Sequence, residues 1–143
     1  MTLEQLQVKF PEATADTWHR HSNGGGWVQN TASVAKTAYV GPDALVSDNA
    51  QVYGYAQVSD NAMVFGDARV SDDAWVSDNV QVFGYAQVSD NAWVFGDAWV
   101  YGNAKVYDNA RVSDNAWIAG LARVSGNASR FLGLWRRLWL GLW

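Results

Sequence analysis

Residues 58–69 read VSDNAMVFGDAR, and these two six-residue units contain the pattern that decides the fold. An apolar residue stands at every sixth position from Val28 to Val124 without a break, in seventeen consecutive units. The residue four places further on is alanine in sixteen of them, and Val80 is the exception. A period of six fits neither the 3.6 residues per turn of a helix nor the simple alternation of a long strand. The sequence therefore predicts short strands separated by corners.

Each position of the unit carries a residue type that suits a stacked coil. Valine favours extended backbone and fills an interior, while alanine is small enough to point inward where the chain bends. Asn, Asp and Gly stand between them, and these residues tolerate a positive φ best. We therefore predict corners with positive φ between strands that stack about 4.8 Å apart.

Over residues 28–129 this pattern resembles the hexapeptide-repeat proteins, which fold as a left-handed parallel β-helix with a triangular cross-section and three hexads per coil. The resemblance implies an all-β solenoid of about five to six coils with a cap at each end. Only the resemblance gives the left-handed sense, because ordinary parallel crossovers are right-handed. With Trp18-His19 and the run Gly24-Gly25-Gly26-Trp27 ahead of the first coil, the chain looks most similar to uncharacterised repeat proteins of bacteria and their prophages.

Three segments divide the chain. Residues 1–27 form an N-terminal cap with a short helix from Leu3 to Phe10, ended by Pro11, and a glycine run that we interpret as a hinge. Phe10 or Trp18 is expected to close the lower end of the rod. Residues 28–129 form the solenoid, and residues 130–143 form a tail rich in Trp, Leu and Arg. This tail is expected to be a cap, an oligomerisation segment or an interface segment.

Composition narrows the function classes. The chain has no cysteine, which excludes disulfides and thiolate metal sites. It has no apolar stretch of about 18 residues and no signal-peptide pattern, so we expect a cytoplasmic or virion-associated protein without a transmembrane helix. The net charge is −4, and the solenoid carries eleven aspartates against five Lys or Arg residues. Such a surface repels a phosphate backbone, so direct nucleic-acid binding is not expected.

The family resemblance implies two enzymatic activities that this sequence does not support. In the acyltransferases of the family a histidine deprotonates the acyl acceptor, and in the related γ-class carbonic anhydrases three histidines on the coils hold zinc. This chain has only His19 and His21, both ahead of the first coil, and no hexad is interrupted by a loop. A general base needs a shaped pocket within hydrogen-bond reach of its substrate. We therefore expect no enzyme, no catalytic residue, no metal and no cofactor; a degenerate acyltransferase is a remaining alternative.

The outer surface is the informative part, because residues eighteen apart stack in columns and the neighbours of each inward valine point outward. What we call the first face is apolar along its whole length and is the predicted interaction face; its residues are Trp27, Leu45, Met63, Phe65, Phe83, Trp99, Tyr101 and Trp117. The third face carries a second aromatic set: Tyr39, Trp75, Trp93 and Phe95. The second face, with Arg69, Lys105 and Arg123 among glutamines and serines, is predicted to be solvated.

An apolar strip of this length is expected to be covered. Three coverings stay open: a second or third copy of the chain, giving a dimer, trimer or filament; the tail; or a ligand such as a glycan, since aromatic rings stack on sugars. The tail residues expected to contribute are Phe131, Leu134, Trp135, Leu138, Trp139, Leu142 and Trp143. A cationic segment rich in Trp and Leu is also similar to peptides that lie in a membrane interface, so membrane contact is a minor alternative.

The acidic corners give one more alternative. One corner is predicted to stack Asp72 or Asp73 with Asp90 and Asp108, and another to stack Asp60, Asp78, Asp97 and Asp114. Rows of carboxylates suit either calcium binding or imitation of nucleic acid to inhibit a DNA-binding enzyme. The simpler interpretation is that aspartate serves the turn. We interpret the chain as a structural or interaction module that self-assembles through the first face and the tail, with a carbohydrate-binding or phage-particle recognition module as the alternative.

Overall fold

A computed structural model describes residues 1–127 and the backbone of residues 129–130. Within this part the chain forms one short helix and a parallel β-solenoid built from three sheets. The predicted all-β parallel solenoid is confirmed, and the architecture is consistent with a left-handed β-helix. The helix is α1 (Leu3–Lys9), in agreement with the predicted bounds to within one residue.

The three sheets form the three sides of the solenoid, and successive parallel strands of one sheet are 18 residues apart in sequence. The first sheet contains, in spatial order, β1 (Trp18–Arg20), β2 (Trp27–Gln29), β5 (Leu45–Val46), β8 (Met63–Val64), β11 (Gln81–Val82), β14 (Trp99–Val100) and β17 (Trp117–Ile118). The second contains β3 (Ser33–Val34), β6 (Gln51–Val52), β9 (Arg69–Val70), β12 (Gln87–Val88), β15 (Lys105–Val106) and β18 (Arg123–Val124). The third contains β4 (Tyr39–Val40), β7 (Gln57–Val58), β10 (Trp75–Val76), β13 (Trp93–Val94), β16 (Arg111–Val112) and β19 (Ser129–Arg130).

The core is a set of valine and alanine columns inside the three sheets. Valine pairs with valine of the next coil, as Val64 does with Val82 and Val82 with Val100. From Val40 to Val124 every inward valine or isoleucine is fully buried, and so is nearly every inward alanine. Because all three sides use the same two residue types, the interior is nearly the same in every coil.

The corners have the predicted positive φ. From Asp48 to Gly126, every corner residue two places after an inward Val or Ile has φ between 56° and 74°. Aspartate at this position also has a second role, because its carboxylate accepts a hydrogen bond from the backbone N–H of the corner one coil above. The pairs Asp90–Asp108 and Asp78–Gly96, at 3.0 and 2.9 Å, are examples. These aspartates therefore connect successive coils by hydrogen bonds.

The N-terminal segment adds the end strand β1 to the first sheet and packs its helical region on the outer side of that sheet. Strand β1 pairs antiparallel with β2 and places Trp18 on the outer surface, where it packs with Leu6 and Phe10 of the helical region against Trp27 and Leu45. The prediction that Trp18 or Phe10 closes the lower end of the rod is therefore wrong. The antiparallel register directs these side chains to the outer surface of the sheet.

The glycine run is not a hinge. The backbone of this run is hydrogen-bonded to the edge of the third sheet, with Gly26 donating to the Val40 carbonyl at 2.9 Å and Val40 donating to Asn23 at 3.0 Å. A Cβ atom at Gly26 would lie 2.3 Å from the Gly41 carbonyl oxygen, and one at Gly24 would lie 2.1 Å from that of Val40. Glycine is required here for close approach rather than for flexibility.

The register of the last strand explains where the regular core ends. Arg130 stands opposite Val112, at a position that valine fills in the five coils below. The run of valines at this position therefore ends with Val112.

Candidate functional site

The first face is the side predicted for interaction, and all eight residues predicted for it lie on the outer side of the first sheet. The structure divides it into two parts. In the lower part, the N-terminal segment covers Trp27, which is 7% exposed, and Leu45, which is 1% exposed. Met63 lies at the margin of this cover and is half-buried. The predicted strip is therefore apolar along its length, but its lower third is already covered by the chain itself.

The upper part of the first face is what we call the aromatic platform; its residues are Phe65, Phe83, Trp99, Tyr101 and Trp117. Two ring ladders stack within it at centroid separations of 4.9 to 5.0 Å, one through Phe65, Phe83 and Tyr101 and one through Trp99 and Trp117. Edge-to-face contacts join the ladders, with Phe83 and Trp99 5.8 Å apart. Each platform residue is half-buried. The apolar cluster that the N-terminal segment forms with the lower first face contains none of the platform residues.

The ring separations show how the platform meets solvent. They are close to the spacing of neighbouring strands, so each ring is displaced from the next by one coil and the rings turn their flat faces to one another. Inner rings of a ladder therefore present mainly their edges outward. A sugar ring stacks on an aromatic face, so this arrangement suits edge contacts from another apolar surface better than stacking by a glycan.

The third face carries its aromatic residues in a different arrangement. Trp75 and Trp93 stack at 4.7 Å, and the guanidinium of Arg111 lies 4.7 Å from the Trp93 ring centroid, above it in the same column. Trp75 is 41% exposed. Phe95 lies beside this column, and Tyr39 lies two coils below Trp75. The four residues predicted for this face therefore share it, although Tyr39 is separated from the rest by Gln57.

The second face has the solvated character that the sequence predicted. Its outward column contains Gln51, Arg69, Gln87, Lys105 and Arg123, and each of these side chains is exposed or half-buried. Tyr53, 42% exposed, is an aromatic residue of this face.

The acidic corners differ from the prediction at one position. Asp72, Asp90 and Asp108 do form one column, beside a groove of about 600 Å³ that Asp73 also lines. Asp97, however, follows the corner glycine Gly96, so it stacks with Asn79 at 3.0 Å rather than with Asp78 and Asp114. Within residues 1–127, no group of three acidic, His or Cys side chains is arranged to hold a metal ion. The carboxylate oxygens that face the next coil already accept backbone N–H groups.

Both histidines have structural partners in the N-terminal segment. His21 is buried, and its Nε2 atom donates to the Ala38 carbonyl at 2.8 Å. His19 is exposed and its Nδ1 atom lies 2.7 Å from Oδ1 of Asn30, whose side-chain nitrogen donates to Asp16. These contacts tie the N-terminal segment to the first coil.

The predicted tail residues Phe131, Leu134, Trp135, Leu138, Trp139, Leu142 and Trp143 lie outside the described residues. Among the residues that are described, no helix has the length and apolar character needed to cross a membrane.

The sequence reasoning missed the residues that cover the lower first face. Leu3, Leu6 and Phe10 follow the three- and four-residue spacing of an amphipathic helix, and such a helix needs an apolar surface to pack on. Trp27 and Leu45 are the nearest apolar outward residues along the chain. This spacing is the sequence signal that predicts the packing of the helix on the first sheet.

The geometry defines a parallel β-solenoid built from six-residue repeats, and the comparison with known families agrees. Three segments, residues 56–71, 86–102 and 104–120, match the family model described as YdcK Beta solenoid repeat. The resemblance to repeat β-helix proteins of uncharacterised type is thereby confirmed. No curated protein and no solved structure matches the chain.

Proposed function

We propose that this protein is a non-enzymatic structural module that self-associates through the aromatic platform, with residues 130–143 contributing to the contact. The observation that carries the proposal is the contrast within the first face. The N-terminal segment buries Trp27 and Leu45 with its own apolar side chains, whereas Phe83, Trp99 and Trp117 remain half-exposed in the same sheet. A second copy would cover the upper part as the N-terminal segment covers the lower part.

A second copy matches the platform in a way that an arbitrary partner does not. The platform is ridged, because its rings repeat at 4.9 to 5.0 Å along the rod. Only another ladder with the same repeat meets such ridges in register over several coils, as in the packing of stacked identical strands. The two chains of a homodimer are identical, so both have this repeat.

The N-terminal segment favours one arrangement of the two copies. It projects from the lower first face, so two parallel rods would bring their N-terminal segments into collision. An antiparallel pair places the segments at opposite ends and lets the two platforms meet around a two-fold axis, which closes the assembly. We therefore infer a closed dimer ahead of a trimer or filament.

Light scattering of the full chain during size-exclusion chromatography tests the proposal. The wild-type protein is expected to exceed its monomer mass of 15.8 kDa, whereas the double variant Trp99→Gln with Trp117→Gln is expected to approach it. The double variant loses two indoles that would be buried in a small interface. At least a tenfold weaker association is therefore expected. Trp75→Gln is the matched control, because it removes an exposed indole from the third face. Equal masses for all three proteins, or an effect of the control alone, would refute assembly through the platform.

A further inference from the structure

The third face contains a cleft of about 200 Å³ that is lined by Trp75, Ser77, Asp78, Trp93 and Phe95. It arises because one column of this face is filled by stacked rings while the other is interrupted. Trp75 and Trp93 stack, but Phe95 stands one coil above Ser77 rather than above a ring. Among the described residues, Phe95 stacks with no other aromatic ring.

On the first face, the equivalent positions of two successive coils both carry phenylalanine. Phe65 and Phe83 are 18 residues apart, and their rings stack at 4.9 Å with an interplanar angle of 4°. Phe95 and Ser77 have the same relation in sequence, and serine is much smaller than a ring. The cleft therefore offers space beneath Phe95 for one planar group.

A carboxylate is held beside this space. Oδ2 of Asp78 accepts the backbone N–H of Gly96 at 2.9 Å, and Gly96 directly follows Phe95. This bond fixes the carboxylate next to the ring. Oδ1 of Asp78 makes no hydrogen bond to any described residue. One carboxylate oxygen is therefore free to accept a donor from a bound group.

The charge around the cleft is negative. Four aspartates lie at the adjoining corner, Asp60, Asp78, Asp97 and Asp114, and among the described side chains the cation on this face is Arg111. Among the described residues the one ion pair joins Met1 to Asp43, so these aspartates have no cation within ion-pair distance there. The complementary group for the cleft is a cation.

The contact between Arg111 and Trp93 on the same face shows that a guanidinium can stack in a column of rings. The guanidinium of Arg111 lies above Trp93 at 4.7 Å, the same separation that joins Trp93 to Trp75. A guanidinium is planar and stacks on aromatic faces while its edge donates to carboxylates, which a compact ammonium cannot do in the same way. It thus continues a ladder as a ring would.

We propose that this cleft binds the guanidinium group of an arginine side chain from a partner polypeptide other than a second copy of this chain. The guanidinium stacks beneath Phe95 in the place that Phe65 has beneath Phe83 on the first face, and its N–H groups donate to Oδ1 of Asp78. Arginine is also the charged residue most enriched at protein interfaces. The site is separate from the platform and does not depend on self-association.

Titration of the ¹⁵N-labelled full chain with N-acetyl-arginine amide tests the site, with the indole N–H signals of Trp75 and Trp93 as the readout. One cation–π contact and one exposed ion pair give a dissociation constant on the order of 10 mM or weaker for this small probe. N-acetyl-lysine amide is expected to bind several-fold more weakly. Ser77→Phe fills the space with a ring that stacks as Phe83 does on Phe65, and it is expected to abolish the shifts.

Two further variants separate the contributions, each with a matched control. Phe95→Ser restores the serine found at positions 59, 77 and 113, and it is expected to weaken binding by about tenfold. Its control is Phe65→Ser, in the identical unit VFGDA on the first face. Asp78→Asn keeps an oxygen for Gly96 but loses the charge, and about threefold weaker binding is expected. Its control is Asp90→Asn, whose carboxylate makes the same bond to the next corner.

The possible results divide clearly. Saturable shifts that depend on Phe95 and Asp78 but on neither control support the site. Absence of saturable shifts overturns it. Equal binding of methyl glucoside that is insensitive to Asp78→Asn identifies a sugar site instead. Dissociation of an oligomer by Asp78→Asn assigns the cleft to a second copy of the chain, which also overturns the proposal.

Discussion

At the scale of single residues, the corner position decides which side chains the repeat accepts. The corner needs a positive φ, which glycine adopts freely and aspartate adopts at moderate cost. The structure adds a second condition that the sequence does not reveal, because the coils stack so closely that the next corner lies against each corner residue. Where aspartate stands, its carboxylate uses this closeness for a hydrogen bond. Where glycine stands, the closeness leaves little room for a side chain.

Replacing corner glycines by alanine separates the two conditions. Gly84 and Gly126 have φ of 67° and 66°, but a Cβ at Gly84 would lie 3.0 Å from the Gly102 nitrogen, whereas none of the described atoms lies within 4 Å of a Cβ at Gly126. Gly126→Ala is expected to cost about 1 to 2 kcal/mol of unfolding free energy from the left-handed conformation alone. Gly84→Ala is expected to cost about 2 to 4 kcal/mol, because backbone must also shift.

Urea denaturation of both variants measures the difference. Asp90→Asn serves as the internal reference, since asparagine tolerates the same φ and keeps an acceptor for the Asp108 N–H. It is expected to stay within about 1 kcal/mol of the wild type. Equal losses for Gly84→Ala and Gly126→Ala would show that contact between coils adds nothing to the cost of the backbone conformation.

At the scale of elements, the helix and β1 are stabilised by the surface that they cover. Helix α1 has seven residues, too few for stability in isolation, although Thr2 and Gln5 form a capping box at its N-terminus. Its anchor is Leu6, which is fully buried against the first face. The charged contact between the Met1 amino group and Asp43 is partly exposed and contributes little by comparison.

Leu6→Ala is therefore expected to undock this segment from the first face. The lost burial and the cavity amount to about 2 to 5 kcal/mol, enough to release a short helix while the coils stay folded. Val8→Ala, on the same helix at an 82% exposed position, is expected to change stability by less than about 0.5 kcal/mol. Hydrogen exchange provides the measurement. Amides of β1 should lose protection in Leu6→Ala while those of β11 keep it, and equal loss in both strands would contradict independent docking.

The solenoid strands could be predicted from the sequence and the position of β1 could not, and one physical difference explains this. The solenoid strands were predictable because their neighbours are fixed by a period of 18, so Val64 must meet Val82. The position of β1 was not, since its antiparallel pairing with β2 follows no repeat. The same reason separates the sites. The ring ladders follow from the period, whereas the cleft at Phe95 depends on which side chain lies one coil below and on a carboxylate held by a corner bond.

At the scale of the whole molecule, the interior has the same residue pattern on all three sides, whereas the exterior does not. The three interior columns use the same Val and Ala pattern, so the core does not distinguish one side from another. The outer columns differ from side to side, and this difference alone identifies the first, second and third faces. A deletion of one hexad should therefore be tolerated by the core and yet rotate the upper solenoid by one side relative to the N-terminal segment.

Two deletions test this separation. Removing residues 46–63 takes out one whole coil and leaves every upper column above its original face. Stability per residue in folded proteins predicts a loss of about 1 to 3 kcal/mol for these 18 residues, since each coil contacts only its neighbours. Removing residues 46–51 takes out one hexad, and it should fold with a smaller loss while it moves the platform off the face that bears the N-terminal segment.

Removing residues 46–49 is the control, because four residues break the period and force polar corner residues inward. This variant is expected not to fold cooperatively, whereas the other two should melt in single transitions by circular dichroism. The hexad deletion also bears on assembly. The proposed preference for an antiparallel pair rests on the N-terminal segment sharing a face with the platform, so in this variant a collision of N-terminal segments no longer excludes a parallel pair. A hexad deletion that fails to fold, as the four-residue deletion does, would mean that the outer columns and not the valine and alanine core determine the fold.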